Sequence, residues 1–231
     1  MTTVCRKPGW NGAIRKMQFV RPIHLLFQEE IGTRVILQIG GVVVKMSHKI
    51  EMEQKIKELV EQITSQPFVA DLNNLYREGI HGIGHIYRVL LLVQKLCELE
   101  KCPVSQRQIL EFCAIFHDIG RTDDGVDDSH GQNSIDILKE KHYFGLAHSL
   151  IFVDYVIVNH CKNDRIAYGD VNRYDFENEQ IGEALYLLKF FKDCDNLDRF
   201  RLGDFDKSYL RLPNSHKLIN TAEELNNKID I

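Results

Sequence analysis

Ten histidines are many for a chain of 231 residues, and seven of them fall between positions 81 and 160. Several sit at the end of an apolar helical stripe rather than on a polar face. One stripe reads His85, Val89, Leu92/Val93, Leu96, and a second reads Leu110, Cys113/Ala114, His117 with Asp118 adjacent. A third reads Leu146, Leu150, Val153, Val156/Ile157, His160, and a fourth Ile181, Leu185, Leu188, Phe191, Asp195. Four segments of helical period thus each aim an imidazole or a carboxylate inward. Burying such a group without a partner costs several kcal/mol. A single case is usually a hydrogen-bonded core histidine. Three imidazoles and two carboxylates, with no lysine in the same stripes, point instead to a cation site.

The elements that must hold these groups read as helices almost throughout. Ser47 is placed to cap a helix running to about Thr64, broken by Gln66-Pro67, and a short helix is expected around 68–77. Further helices are expected from His85 to about Lys101, from a Ser105 cap to the Asp118–Gly120 turn, over about 131–141, over 146–160 and over about 178–200. Segments 121–129 and 162–177 read as loops, and the tail holds one or two short helices around a break at Pro213. The fold class is therefore all-α, a helical bundle with the metal site at its centre. Residues 1–45 differ in texture: seven Lys/Arg against two Glu, and a Val/Ile-rich stretch over 34–44 that suits a small β-hairpin or a loose extension. The expected division is a basic extension over 1–45, which need not belong to the functional protein, and a functional domain over 46–231 beginning at Met46.

Composition bounds the rest. With 44% apolar and 27% charged residues and a net charge of −4, the chain is an ordinary globular protein without a global electrostatic case for nucleic acid. The basic segment 1–45 lacks aromatic-basic interleaving beyond Trp10. No apolar run is long enough to span a bilayer, and none has the setting of a signal peptide. Six cysteines without a CxxC pair suit a reduced, cytoplasmic protein. His24, His48, His142, His148 and His216 read as ordinary surface or helix-face residues.

At the residues singled out above, the sequence resembles the HD superfamily of metal-dependent phosphohydrolases over about 68–200. The matching stretches are His85 in HGIGHIYRV, His117-Asp118 in FHDIGR and Asp195 in KDCDNLDR, in the family's order. Members with two metals carry two further histidines before the final Asp, and His130 in SHGQNS and His160 in VNHC occupy those places. The resemblance implies the ligand set His85, His117, Asp118, His130, His160 and Asp195, with Asp118 bridging two cations. Mn, Fe, Co, Ni or Zn would suit these donors, and Mg is compatible.

What the resemblance implies chemically is hydrolysis of a phosphate ester by a metal-activated hydroxide. Arg121, one turn after the His-Asp pair, is placed to contact phosphate as a planar fork, with an ion pair to a nearby aspartate as the alternative. His81 lies four residues before His85, and HGIGH resembles the HNxxH of cyclic-nucleotide phosphodiesterases, where the first His protonates the leaving oxygen. Gly82 stands where that family has Asn. Lys162, Arg165, Arg199 and Arg201 are further candidates for the phosphate entrance, with a solvated charge as the alternative for each, and Arg88 is expected to pair with a buried carboxylate such as Asp198. The expected partner is a small-molecule phosphate ester, a nucleotide foremost, with no membrane or nucleic acid, and a homo-oligomer is compatible. Two rival readings stay open: a di-iron oxygenase on the same fold, and a non-catalytic nucleotide sensor. A ferritin-like bundle fits poorly, because Glu78–His81 has Gly79 inside it.

Overall fold

The computed structural model describes residues 36–39, 42–45, 48–64, 79–141 and 150–229. The short helix expected at 68–77, the Ser47 cap, and His24, His142 and His148 lie outside these residues, as do the side chain of His48 and the question of where the functional domain begins. Strands β1 (Ile36–Ile39) and β2 (Val42–Lys45) form an antiparallel hairpin with Ile36 opposite Lys45 and Ile39 opposite Val42. After the hairpin every regular element described is helical. They are α1 (His48–Thr64), α2 (Ile83–Glu100), α3 (Val104–Phe116), α4 (His130–Glu140), α5 (Leu150–Asn159), α6 (Asp164–Gly169), α7 (Asn178–Leu197) and α8 (Ile219–Lys228), with 3-10 turns at Asp170–Arg173, Asp198–Leu202, Lys207–Tyr209 and Ser215–Leu218.

The core explains the arrangement. Helix α2 is apolar nearly all round, with Val89, Leu92, Val93 and Leu96 fully buried, so it must be surrounded. It packs against α3, α7 and α1, while α5 packs against α3, α4 and α7. Phe112, Phe116, Phe190, Phe191 and Tyr155 are the largest side chains sealed inside. Cys97, Cys113 and Cys194 are buried free thiols among them. No described helix is long and apolar enough to cross a membrane.

Three local expectations change. Helix α3 starts at Val104 after Pro103, so Ser105 lies inside its first turn and does not cap it. Pro103 stands at the cap itself, with no side-chain hydrogen bond to the first turn. The stripe helix expected over 146–160 is described from Leu150 and ends at Asn159, so His160 stands just beyond it. The polar segment 162–177 is not a plain loop: it contains α6 and a 3-10 turn. Asn163 caps α6 by accepting from the Arg165 N–H at 2.9 Å. Asp164 holds the segment down through Arg211 at 2.8 Å and Lys192 at 2.7 Å. These long-range pairs leave no periodic trace in the local sequence.

Candidate metal centre

The site is built where helix ends converge. His85 lies in the first turn of α2, His117 and Asp118 in the turn after α3, His130 at the start of α4, His160 just past α5, and Asp195 in the last turn of α7. The sequence-expected set is thus brought into one place. His85, His117, Asp118, His130 and His160 are buried, while the Asp195 side chain is one-third exposed toward a cavity of about 340 Å³.

Two glycines permit the convergence. A Cβ on Gly120 would lie 2.3 Å from the Ser134 backbone N, and one on Gly131 would lie 2.2 Å from the Ile157 carbonyl. Only glycine lets the His117–Gly120 turn press on α4 and lets α4 press on α5. Buried Ser134 ties the first of these contacts: its Oγ accepts from the Gly120 N–H at 2.9 Å and donates to the His117 carbonyl at 2.6 Å. Sequence reading missed all three residues, although a glycine after His130 and a small polar residue one turn later were the available signal. Phe191 closes the floor, edge-on to His117 at 5.2 Å and to His160 at 5.9 Å between ring centroids.

The orientation of each imidazole is fixed from behind. Nδ1 of His117 lies 3.1 Å from the Ala114 carbonyl, that of His130 2.5 Å from the Asp127 carbonyl, and that of His160 2.6 Å from the Ile157 carbonyl. Carbonyls only accept, so each Nδ1 carries its hydrogen and each Nε2 is left as the donor atom for a cation. His85 is held the same way by Asp198, at 2.7 Å from Nδ1. Asp198 is itself clamped by Arg88 at 2.6 Å, the pairing expected from sequence, and Arg88 also donates to the Ile229 carbonyl.

The Nε2 atoms then face each other in two pairs: His85 with His117 at 3.1 Å, and His130 with His160 at 2.9 Å. Asp118 stands between the pairs with one oxygen for each. Its Oδ2 lies 3.5 Å from His85 Nε2 and 3.6 Å from His117 Nε2, and its Oδ1 lies 3.1 Å from His130 Nε2 and 3.5 Å from His160 Nε2. Asp195 Oδ1 joins the first pair, 3.5 Å from His85 Nε2. Opposed lone pairs at such separations need a positive charge between them, a proton or a metal. Buried Asp118 Oδ1 makes no hydrogen bond of good geometry despite its neighbours. This donor set fits divalent metal: donors from His85/His117/Asp195 and from His117/Asp118/His160 each lie within 4.8 Å of one another.

The electrostatics differ from one ligand candidate to the next. Burial pushes His117 down to about 3, so it stays in the neutral, ligating form at ordinary pH. Burial alone would raise Asp118, but the imidazoles around it, His117 first and then His130, His160 and His81, outweigh it and hold the carboxyl well below the usual range. For His85 burial acts downward, and the bonds to Asp118 and Asp198 overcome it, leaving the pKa raised.

Around the centre, His81 sits in the loop before α2, in a turn made by Gly79 at φ 124°. Its Nδ1 is 2.8 Å from Asp118 Oδ2, and burial lowers its pKa. Arg121 lines the cavity with Nε 3.2 Å from Asp118 Oδ1 and Nη1 donating to the Gly125 carbonyl at 3.1 Å, so its partner is Asp118 and not an aspartate of the following loop. Arg199 and Arg201 also line the cavity, and Arg201 donates to the Ile80 carbonyl at 2.8 Å. Lys162 does not belong with them: it is absent from the lining, and its ammonium pairs with Asp170 at 2.9 Å, drawn there by the fold of α6.

Comparison with curated proteins and with solved structures gives no significant match. A family model described as the HD domain matches residues 82–199, just over half of the chain and the whole stretch from the loop before His85 to past Asp195. The chain belongs to the HD domain family.

Proposed function

We propose that this protein is a metal-dependent phosphohydrolase acting on a small-molecule phosphate ester, with a nucleotide as the first candidate substrate, and that residues 46–231 carry the activity. The observation that carries the reading is Asp118, whose two oxygens face two separate histidine pairs with converging Nε2 atoms. His85, His117 and Asp195 would hold one cation, His130 and His160 the other, and Asp118 would bridge them. Bound there, divalent cations would activate the water nucleophile and neutralise phosphate charge.

The chain's own groups would do the rest. Arg121, Arg199 and Arg201 give the cavity a guanidinium-rich side suited to phosphate oxygens. Asp118 and Gly125 hold Arg121 in place, so its charge is positioned before a ligand arrives. His81, with Nδ1 tied to Asp118, has Nε2 left to pass a proton to a leaving oxygen. Burial lowers its pKa, which favours release of the ring proton.

The test is a screen of phosphomonoesters and phosphodiesters with added Mn²⁺ or Co²⁺, run beside Asp118→Ala. Turnover that requires metal and vanishes in the variant supports the reading. Two irons per chain with substrate-dependent oxygen uptake and no hydrolysis would replace it with the oxygenase. Metal-independent turnover unchanged in Asp118→Ala would overturn the site.

A further inference from the structure

Cys161 follows His160 in the turn that ends α5, a turn closed by the Lys162 N–H on the Asn159 carbonyl at 3.3 Å. The same turn therefore aims an imidazole and a thiol in neighbouring directions. Cys161 lines the cavity, and its Sγ lies within 4.8 Å of a ring nitrogen of His130 and of His160. The thiol is held 3.3 Å from the Asp128 carbonyl, one residue beyond the Asp127 carbonyl that fixes His130. The paired Nε2 atoms of His130 and His160, 2.9 Å apart and both buried, independently mark this spot as one that takes a cation.

We infer that Cys161 is an additional ligand of the cation held by His130 and His160. The inference rests on the two-cation reading above and deepens it by assigning metal preference. With Asp118 Oδ1, the two imidazoles and Sγ, this half of the centre has an oxygen, two nitrogens and a sulfur. A thiolate is a soft ligand, so the set favours Zn²⁺, Co²⁺ or Fe²⁺ over Mg²⁺ or Mn²⁺. The His85/His117/Asp195 half has no sulfur and keeps the broader preference. On coordination the Cys161 S–H bond breaks, the proton goes to solvent, and the sulfur electron pair binds the metal. The hydrogen bond to the Asp128 carbonyl is lost with that proton. Loading this half of the centre therefore releases one tie on the 121–129 segment that forms the cavity rim.

Cobalt on the full-length protein reads this directly, because thiolate coordination adds a near-ultraviolet sulfur-to-cobalt charge-transfer band to the visible bands of bound Co²⁺. With two equivalents of Co²⁺, the wild type should show both. Cys161→Ser should keep the visible bands, lose the near-ultraviolet one, and bind the second cobalt more weakly by a factor on the order of 10–100, the range seen when a group supporting a metal ligand is removed. Cys102→Ser, beyond the opposite end of α2, should keep both. The wild-type protein supplies a second readout should the serine variant not fold: bound cobalt should slow alkylation of Cys161 by iodoacetamide, followed by mass spectrometry. Visible bands with no sulfur band, together with equal alkylation with and without cobalt, would overturn the thiolate ligand and leave the two-cation centre standing. Failure to bind cobalt at all would overturn both.

Discussion

His130 and His160 bring their Nε2 atoms to 2.9 Å while each Nδ1 is committed to a backbone carbonyl, so neither ring can turn away to relieve the opposed lone pairs. Two imidazoles fixed in this way could hold a cation between them. The same logic holds for His85 and His117 at 3.1 Å. Asp118 stands between the two pairs, one oxygen toward each.

Replacing Asp118 by Asn removes the negative charge shared by both halves and turns one of its two facing oxygens into an amide NH2 that does not ligate. Activity should fall by about 10²–10³-fold or more, the scale of losing a single charge-stabilising group. Metal content should fall from both halves, not one. Elemental analysis of the purified variant checks this, and retention of both metals would contradict the bridging role.

Asp198 lies outside the proposed ligand set, yet it fixes His85 through Nδ1 and is itself clamped by Arg88. Asp198→Asn should weaken metal at the His85/His117 half by roughly 10–100-fold, with the His130/His160 half little changed. Titration with Co²⁺ separates the two. Equal weakening of both would mean that Asp198 acts through global stability.

Gly131→Ala places a Cβ where the Ile157 carbonyl already stands. It should lower stability by about 1–3 kcal/mol, the cost of overpacking, and displace His130 with it. Gly182→Ala in α7 meets no atom within 4 Å and should instead be stabilising by about 0.5–1 kcal/mol. Thermal unfolding of both variants tests the close approach of α4 and α5.

The Asp164–Arg211–Lys192 cluster supplies a pH signature away from the metal centre. Burial would raise the Asp164 pKa, but the hydrogen bonds from Arg211 and Lys192 lower it below the usual aspartate range. A depressed folded-state pKa contributes stability that is present above the unfolded value, near ~4, and lost as pH falls through the folded value. The melting-temperature gap between wild type and Asp164→Asn should therefore be widest near neutral pH and close as pH falls below about 4. A gap that stays constant from pH 7 to pH 3 would contradict the ion-pair account.

Much of this site is legible in the sequence because most of the proposed ligands end apolar stripes. His85, His117, His160 and Asp195 each head or close a run of core residues, and helical period alone puts them inside. His130 has no such stripe, since its neighbours are Ser129 and Gly131; its burial depends on Gly131 allowing α5 to approach. Contacts between distant segments are equally silent. Lys162 reads as a free cation beside the site, and only the fold of α6 shows that Asp170 takes it. Cys161 is masked by its neighbour: a cysteine after a histidine carries no pattern until the turn that aims both is seen.

Metal stoichiometry in protein purified without chelator, wild type beside Asp118→Asn, decides whether Asp118 joins two cations. Two cations straddling Asp118 predict about two transition-metal ions per wild-type chain, both lost in the variant. One ion or none per wild-type chain after reconstitution with Co²⁺ or Zn²⁺, or two ions undisturbed by the substitution, would contradict it.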